Sequence, residues 1–598
     1  MKSSLALLVG LSLGCRAGES KDSAASKPHL AMIDLRAGLS ESSEGGALLP
    51  TPATQTYTGL IRGAERWTKD ANVAGVFVRM GSQTISLARA IELSEALGAL
   101  RKAKKTVTCH AHSIDNGSAA FLRESCDELW LSAAGDVETV GIAAQLTYLK
   151  GALDKLGVQA DMLAIGRYKS GAEALTREGP SEPAAENLTQ MLGDLRGVWL
   201  AAATRGAGDR KAALERALED GPHTPDAARE LGLVDRIGYE DEALSAAKKQ
   251  AGVSEVVTVF GPGAEGQSGG SVGSALRSLL GAERGGTSRP HVAVVPMVGS
   301  ITVSGSGPFS EGGITSDAYV KLIKRLREDA SVRAVVVRIE SPGGSPLASD
   351  LIWHQLMLTR TVKPVVVSIA GMAASGGYYI ACAADHIIAS PSAIVGSIGV
   401  FGGKLVFGEA LANLGITSRD FPANPDPALA KRPTHLSPLS PWDDATREKV
   451  RQSMQRIYDL FLERVAEGRH KRKEDIAPNA EGAIFLAERG KERGLVDEIG
   501  GLRRAIEVAR ERAKLDADAG VTVESSEGSW LESLLGGEAS DDAIEAALAR
   551  RITERAESRL LGTQGVVREQ LEQFGSVLGP MAEGESVVAA LPFAIRIR

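Results

Sequence analysis

Cysteine is scarce: there are four in 598 residues, at positions 15, 109, 126 and 382, with no C-x-x-C spacing. That pattern disfavours both a disulfide-stapled scaffold and a thiolate metal site. Cys109 and Cys382 lie in or beside apolar runs, so buried free thiols are the expectation. The chain has no H-E-x-x-H string and no histidine cluster in sequence, so neither a metal nor another cofactor is expected. Aromatic residues make up only 4% of the chain, and its net charge of −7 comes without a long basic cluster. No nucleic-acid partner is expected from such a surface.

Glycine is abundant, with 67 residues, alongside 43% apolar and 24% charged positions. This composition suits a soluble α/β protein with many tight turns, and the length exceeds what one hydrophobic core supports. The amino terminus differs. Lys2 is followed by the apolar run Leu5–Leu13, then Gly14-Cys15, then a polar stretch. The run is too short to span a bilayer, which takes ~20 apolar residues, but it fits the core of an export signal. A cysteine after Leu-Gly resembles a lipoprotein cleavage site, although Ser12 stands where that pattern has leucine. An acylated Cys15, an uncleaved anchor and plain secretion are the alternatives. Each places the protein in the bacterial cell envelope, facing the periplasm.

The chain repeats itself. "ANVAGVFVRMGSQTISLARAIELSEALGALRKAKKTVTCHA" (Ala71–Ala111) resembles "ASVRAVVVRIESPGGSPLASDLIWHQLMLTRTVKPVVVSIA" (Ala330–Ala370). Arg79 and Arg338 are 259 residues apart, Asp127 and Asp385 are 258 apart, and the strings "GLVDRIG" and "GLVDEIG" are 262 apart. Each copy alternates Val/Ile-rich runs with helical segments, the pattern of parallel βα units. The expected organisation is an export segment over 1–28, a first domain over 29–255, and a Gly/Ser-rich linker over 256–290. A second domain over 291–514 and a helical tail over 515–598 complete it.

The copies diverge at "MAASGGYYIA" (Met372–Ala381), where Ser375 follows a strand among small residues. A hydroxyl at such a sharp turn suits a nucleophile, whereas the matching place in the first copy falls at Gly117, with Ser118 one residue late. A serine nucleophile needs a base. His386 opens a strand and is expected to pack there; His110 and His112 lack an evident acidic partner, though a spatial Ser-His-Asp triad stays open. Lys169, in "GRYKSGAE", is the alternative. A solvated lysine, with a pKa near ~10.4, is protonated at neutral pH, but burial with few counter-charges disfavours the ammonium and lowers that value. Lys431, which falls near the second copy's equivalent of Lys169, is expected to be a surface residue.

Together the duplication, "MAASGGYYIA", "GRYKSGAE", "ESPGG", "GSIGVFGG" and the paired "GLVDxIG" strings resemble the signal peptide peptidase A (protease IV) family in its long two-domain form. The resemblance runs from about Thr58 to Lys514. It implies tandem duplicated Clp protease/crotonase-like α/β spiral domains and a Ser–Lys dyad peptidase that degrades hydrophobic peptides such as signal peptide remnants. It further implies Ser375 as nucleophile, Lys169 as general base and Ser397 as the hydroxyl that orients the lysine. Backbone N–H groups of Gly376 and Gly344, with Gly343 as the other choice in that turn, are the implied oxyanion donors. A membrane anchor and a homotetramer are implied as well. The family's "GRVWTG" string before the last "GLVD" is replaced by "AEGAIFLAERGKERGLVD", a departure in packing more than in chemistry. A non-catalytic hydrophobic-peptide scaffold and a crotonase-like acyl-CoA enzyme remain the competing readings.

Overall fold

The Val/Ile-rich runs form the strands their composition predicts. The computed structural model describes residues 27–41, 56–264, 289–304, 313–427, 429–525 and 587–590. The expectations for Cys15, for a linker helix and for the tail helices lie outside them.

In the first repeat the strands are β1 (His29–Asp34), β2 (Val73–Gly81), β3 (Thr106–Asp115), β4 (Glu128–Glu138), β5 (Gln159–Ile165), β6 (Arg236–Ile237) and β7 (Val256–Phe260). All but β5 form one parallel sheet in the order β6-β4-β3-β2-β1-β7. The second repeat opens with β8 (His291–Val298), β9 (Ile301–Thr302), β10 (Ile314–Thr315), β11 (Val332–Ser341), β12 (Gly343–Gly344) and β13 (Val365–Ala374). It continues through β14 (His386–Ala389), β15 (Ile394–Gly396), β16 (Val400–Val406), β17 (Ile484–Leu486), β18 (Glu498–Ile499) and β19 (Gly520–Val523). Its main sheet runs β17-β15-β13-β11-β8-β19, with β14 and β18 attached beside β13. Each repeat therefore closes with a strand returning beside its first, β7 on β1 and β19 on β8. These returns carry the sheets past the expected domain ends at 255 and 514.

The recurring strings have a shared structural cause. Asp127 and Asp385 each accept a hydrogen bond from the first amides of the preceding parallel strand, Val107 N and Val365 N, at 2.8 and 2.9 Å. Each also pairs with an arginine from a neighbouring helix, Arg101 or Arg360, at 2.8 Å. The aspartates of the two "GLVD" strings, Asp235 and Asp497, accept from Leu129 N and Ile387 N, both at 2.8 Å. Parallel strands leave such amides at their starts without a ladder partner, so a carboxylate recurs wherever the same edge recurs.

Two findings depart from expectation. Cys109 and Cys126 form a disulfide; only Cys382 is a buried free thiol among the described residues. The 17-residue separation hid this, because β3 and the end of the next helix meet only once the β3–helix–β4 unit is folded. The helix Asn116–Ser125 is capped by Asp115 in a reciprocal box with Ser118, while Ser375 precedes the helix Gly376–Ala381. By element ends Asp115, rather than Gly117, stands in the place of Ser375.

One hydrophobic cluster runs across both repeats, beside a second centred in the second repeat and a smaller one in the first. Leu60, Leu93 and Leu97 of the first cluster with Val294, Val336 and Leu502 of the second. The helix Tyr57–Lys69, capped by Thr56 at Gly59 N, lays its apolar face into this seam. One segment crosses over: β5 of the first repeat pairs antiparallel with β16 of the second, from Ile165 opposite Val400 to Gln159 opposite Val406. That crossing delivers the residues after Ile165 into the second repeat.

Candidate active site

Strand β13 ends at Ala374, and the chain turns at Ser375 into the helix Gly376–Ala381. Ser375 has φ 54° and ψ −116°, a conformation few side-chain-bearing residues adopt. It is pinned by a hydrogen bond from Ser375 N to Gly396 O at 2.8 Å, in line with the β13–β15 ladder. The small residues around it are what let this turn form. A Cβ on Gly377 would come within 2.9 Å of Ser341 O.

The lysine arrives from the other repeat. After β5, Lys169 enters the second repeat beside residues 481–482, where Tyr168 N donates to Glu481 O at 2.7 Å. Its Nζ lies 2.8 Å from Ser375 Oγ, and it donates to Ser397 O at 3.0 Å while standing 3.0 Å from Ser397 Oγ. Both Lys169 and the two serines are buried. Burial alone pushes the Lys169 pKa well below the usual lysine range, with no carboxylate to offset it. A neutral amine has two N–H donors and one lone pair. The two oxygens of Ser397 take the donors, and the lone pair is left for the hydroxyl of Ser375.

The backbone around the lysine belongs to glycines that sequence reading did not single out. A Cβ on Gly482 would meet Lys169 N at 2.5 Å, and one on Gly399 would meet Lys169 Cδ at 3.2 Å. Their signal was present only as "VGSIG" and "AEGAIF", with nothing local linking either to a residue more than 200 positions earlier.

The remaining expected residues are placed as follows. Gly376 begins the helix after Ser375, where a first-turn N–H has no partner within the helix. Gly344 lies in β12, and a Cβ there would meet Ile301 O at 2.0 Å, so only glycine fits. His386 is away from Ser375, 3.2 Å from Glu498 and 4.0 Å from Asp497. Lys431 is exposed. His110 and His112, for which the sequence shows no evident acidic partner, meet Glu240: one ligand atom from each lies within 4.8 Å of the others. Arg79 already pairs with that carboxylate at 2.5 Å, a long-range contact that sequence spacing does not reveal.

A buried amine faces a serine at a strained strand-to-helix turn, an arrangement suited to a serine nucleophile beside a lysine base. The comparisons sharpen this. The model of peptidase family S49 matches residues 99–254 and 358–516, one stretch in each repeat. The chain belongs to peptidase family S49 and is a serine peptidase with tandem α/β repeats. It is 28% identical to "Serine protease SPPA, chloroplastic" of Arabidopsis thaliana, over 76% of this chain and 65% of that protein. It is 30% identical to "Protease 4" of Salmonella typhi, over 75% of this chain and 70% of that protein. The chain thus spans about two thirds of the length of these relatives. The structure is also similar to that of a ClpP1 point mutant from Listeria monocytogenes, at 16% identity and TM-score 0.24, covering 36% of this chain and 94% of that one.

Proposed function

We propose that the protein is a membrane-associated endopeptidase that hydrolyses extended hydrophobic peptides, such as cleaved signal peptides, through an acyl-enzyme on Ser375. The observation that carries this reading is the 2.8 Å approach of Lys169 Nζ to Ser375 Oγ in a buried pocket without a counter-charge. Neutral Lys169 takes the Ser375 proton as Oγ attacks the peptide carbonyl. The carbonyl oxygen develops negative charge toward the N–H groups of Gly376 and Gly344, each such donor being worth about 3 kcal/mol. The Lys169 ammonium then protonates the leaving amine. Water attacks the ester with Lys169 again as base, and Ser375 is regenerated. Ser397 holds the amine in place throughout.

Location and assembly belong to the same proposal. The Cys109–Cys126 disulfide supports an oxidising compartment, in keeping with the bacterial envelope and its periplasmic face. Attachment is proposed through the amino-terminal segment, with acylated Cys15 as one route; among the described residues no helix is long and apolar enough to cross a membrane. The exposed apolar side chains Leu414, Ile416 and Phe421 support self-association, the homotetramer being the form proposed.

A serine-directed fluorophosphonate tests the chemistry. Wild type is expected to label, Ser375→Ala not at all, and Lys169→Ala at least ~100-fold more slowly. Unchanged labelling of Lys169→Ala would remove the lysine from the mechanism. Hydrolysis of an apolar peptide that survives Ser375→Ala would remove the serine.

A further inference from the structure

A polar row crosses the sheet of the first repeat on the face covered by the helix Glu240–Ala251. Asp34, Arg79 and His110 stand side by side in the registers of β1, β2 and β3. Met32 and Phe77, two residues earlier on β1 and β2 and so on the same face, pack with Ala243 and Ala247 of that helix. The helix begins with Glu240, which meets His110 and His112 so that one ligand atom from each lies within 4.8 Å of the others.

The cluster is short of a ligand. His110 is buried, and its Nε2 lies 3.3 Å from Gly238 O. A carbonyl only accepts, so Nε2 carries the proton and Nδ1 keeps its lone pair. That Nδ1 is itself buried and has no hydrogen-bond partner among the described residues. An imidazole that binds a metal through one nitrogen donates the other N–H in just this way, to a carbonyl or carboxylate that fixes the ring. The two imidazoles are neighbours, with ring centroids 5.6 Å apart. Arg79 holds Glu240 through Oε1 at 2.5 Å, which steadies the carboxylate and leaves Oε2 for an ion.

We propose that His110, His112 and Glu240 form a zinc site that ties the end of β3 to the start of the helix Glu240–Ala251. This departs from the metal-free expectation drawn from sequence, because Glu240 joins the histidines only in the fold. Two imidazoles and a carboxylate are a donor set that zinc takes with water in the fourth position, whereas calcium and magnesium call for oxygen donors. With bonds of ~2.1 Å, tetrahedral donors stand ~3.4 Å apart, so closing the site takes ~1.4 Å of side-chain motion. His112 is exposed and Glu240 half-buried, so these two move while His110 stays fixed. Asp34 and Glu240 are already balanced by Arg36 and Arg79, so the ion meets no excess negative charge. A Kd of ~1 µM follows, weaker than that of four-ligand structural sites.

Equilibrium dialysis of the chelator-treated full chain against Zn2+ tests the site, with thermal melts as the second readout. Wild type is expected to bind one zinc per chain at ~1 µM, and ~100 µM zinc should raise its Tm by roughly 3 °C. His112→Ala and Glu240→Gln should each weaken binding at least ~10-fold and lose the rise in Tm. His386→Ala, which removes the imidazole beside Glu498 and Asp497, should keep both and so controls for casual binding by a surface histidine. Magnesium and calcium at the same concentration should leave Tm unchanged. If Glu240→Gln melts without cooperativity, His112→Ala, at an exposed position, decides alone. Wild type that takes up no zinc at ~100 µM, or zinc uptake unchanged in His112→Ala, would overturn the proposal.

Discussion

Ser375 and Ser397 share the same backbone anomaly, each with φ 54°. They end the adjacent parallel strands β13 and β15, and Lys169 reaches both. Left-handed backbone at a non-glycine residue costs on the order of 1 kcal/mol and persists where surroundings enforce it. Here it turns the two hydroxyls toward one amine. Ser397→Gly should relax that strain while keeping the Ser397 carbonyl as one acceptor, whereas Ser397→Ala keeps the strain and loses the same hydroxyl. Both variants are expected to lose about 10- to 100-fold in kcat, and the glycine variant should be about 1 kcal/mol more stable than the alanine variant in urea.

Lys169 sets the pH dependence. Its folded-state pKa is lowered by burial, so between that value and the unfolded ~10.4 the unfolded chain binds the extra proton. Its contribution to stability therefore rises with pH across this interval and is most unfavourable below it. Activity follows the neutral amine and should reach its plateau well below the ordinary lysine range. Lys169→Met is expected to abolish peptide hydrolysis by about 10^3-fold and to raise stability at neutral pH by on the order of 1 kcal/mol, with that gain shrinking toward high pH. Denaturant melts at several pH values, set beside kcat/KM profiles, check both signs.

Ser375 was legible in its own string, a hydroxyl between a strand and a helix among small residues, whereas Ser397 and the glycine turn came only with the family resemblance. Lys169 was legible as a residue but not as a neighbour. Its approach to Ser375 depends on the seven-residue β5–β16 register, a pairing between distant segments that no periodicity encodes. The disulfide was missed for a similar reason, since Cys126 lies on a helix terminus whose position over β3 is a tertiary fact. The duplication, by contrast, shows in sequence because the aspartates that cap strand starts must recur with the strands. The pairing of the strand Val587–Ala590 with β12 and β16 lay outside any local signal: "VVAA" reads equally well as tail or strand.

The seam between the repeats is held by charge as well as by apolar packing. Arg338 of β11 is buried and donates to both carboxylate oxygens of Glu92, at 2.8 and 3.1 Å, and to Ser368 Oγ at 3.0 Å. Tyr57 OH donates to the same Glu92 at 2.7 Å, and Arg89 bridges to Glu340 at 3.2 Å. Removing one member of a buried ion pair leaves the other uncompensated, at a cost of about 3–5 kcal/mol. Glu92→Ala leaves Arg338 with Glu41 as its remaining carboxylate, at 3.4 Å, and should destabilise by about 3 kcal/mol, the lower end of that range. The double variant Glu92→Leu/Arg338→Met should recover a large part of the stability, measured by thermal melts of the three proteins.

Gly482 offers a finer probe of how closely the lysine is held. Its φ is 79°, and an added Cβ would lie 2.5 Å from Lys169 N and 2.6 Å from Lys169 Cβ. The backbone of Lys169 cannot yield without moving Nζ relative to Ser375, and a displacement of ~1 Å in a reacting pair costs about 100-fold in rate. Gly482→Ala should therefore lower kcat by roughly that factor and slow labelling equally. Its activity midpoint should move to higher pH as water reaches the amine and restores the ammonium. Gly193→Ala makes the control, because that glycine lies within the helix Glu182–Ala203 with nothing near an added Cβ. It should gain about 0.5–1 kcal/mol at unchanged kcat. A Gly482→Ala enzyme with wild-type kcat and pH profile would mean that the Lys169 loop shifts as a unit and that its contact with residue 482 does not position the base.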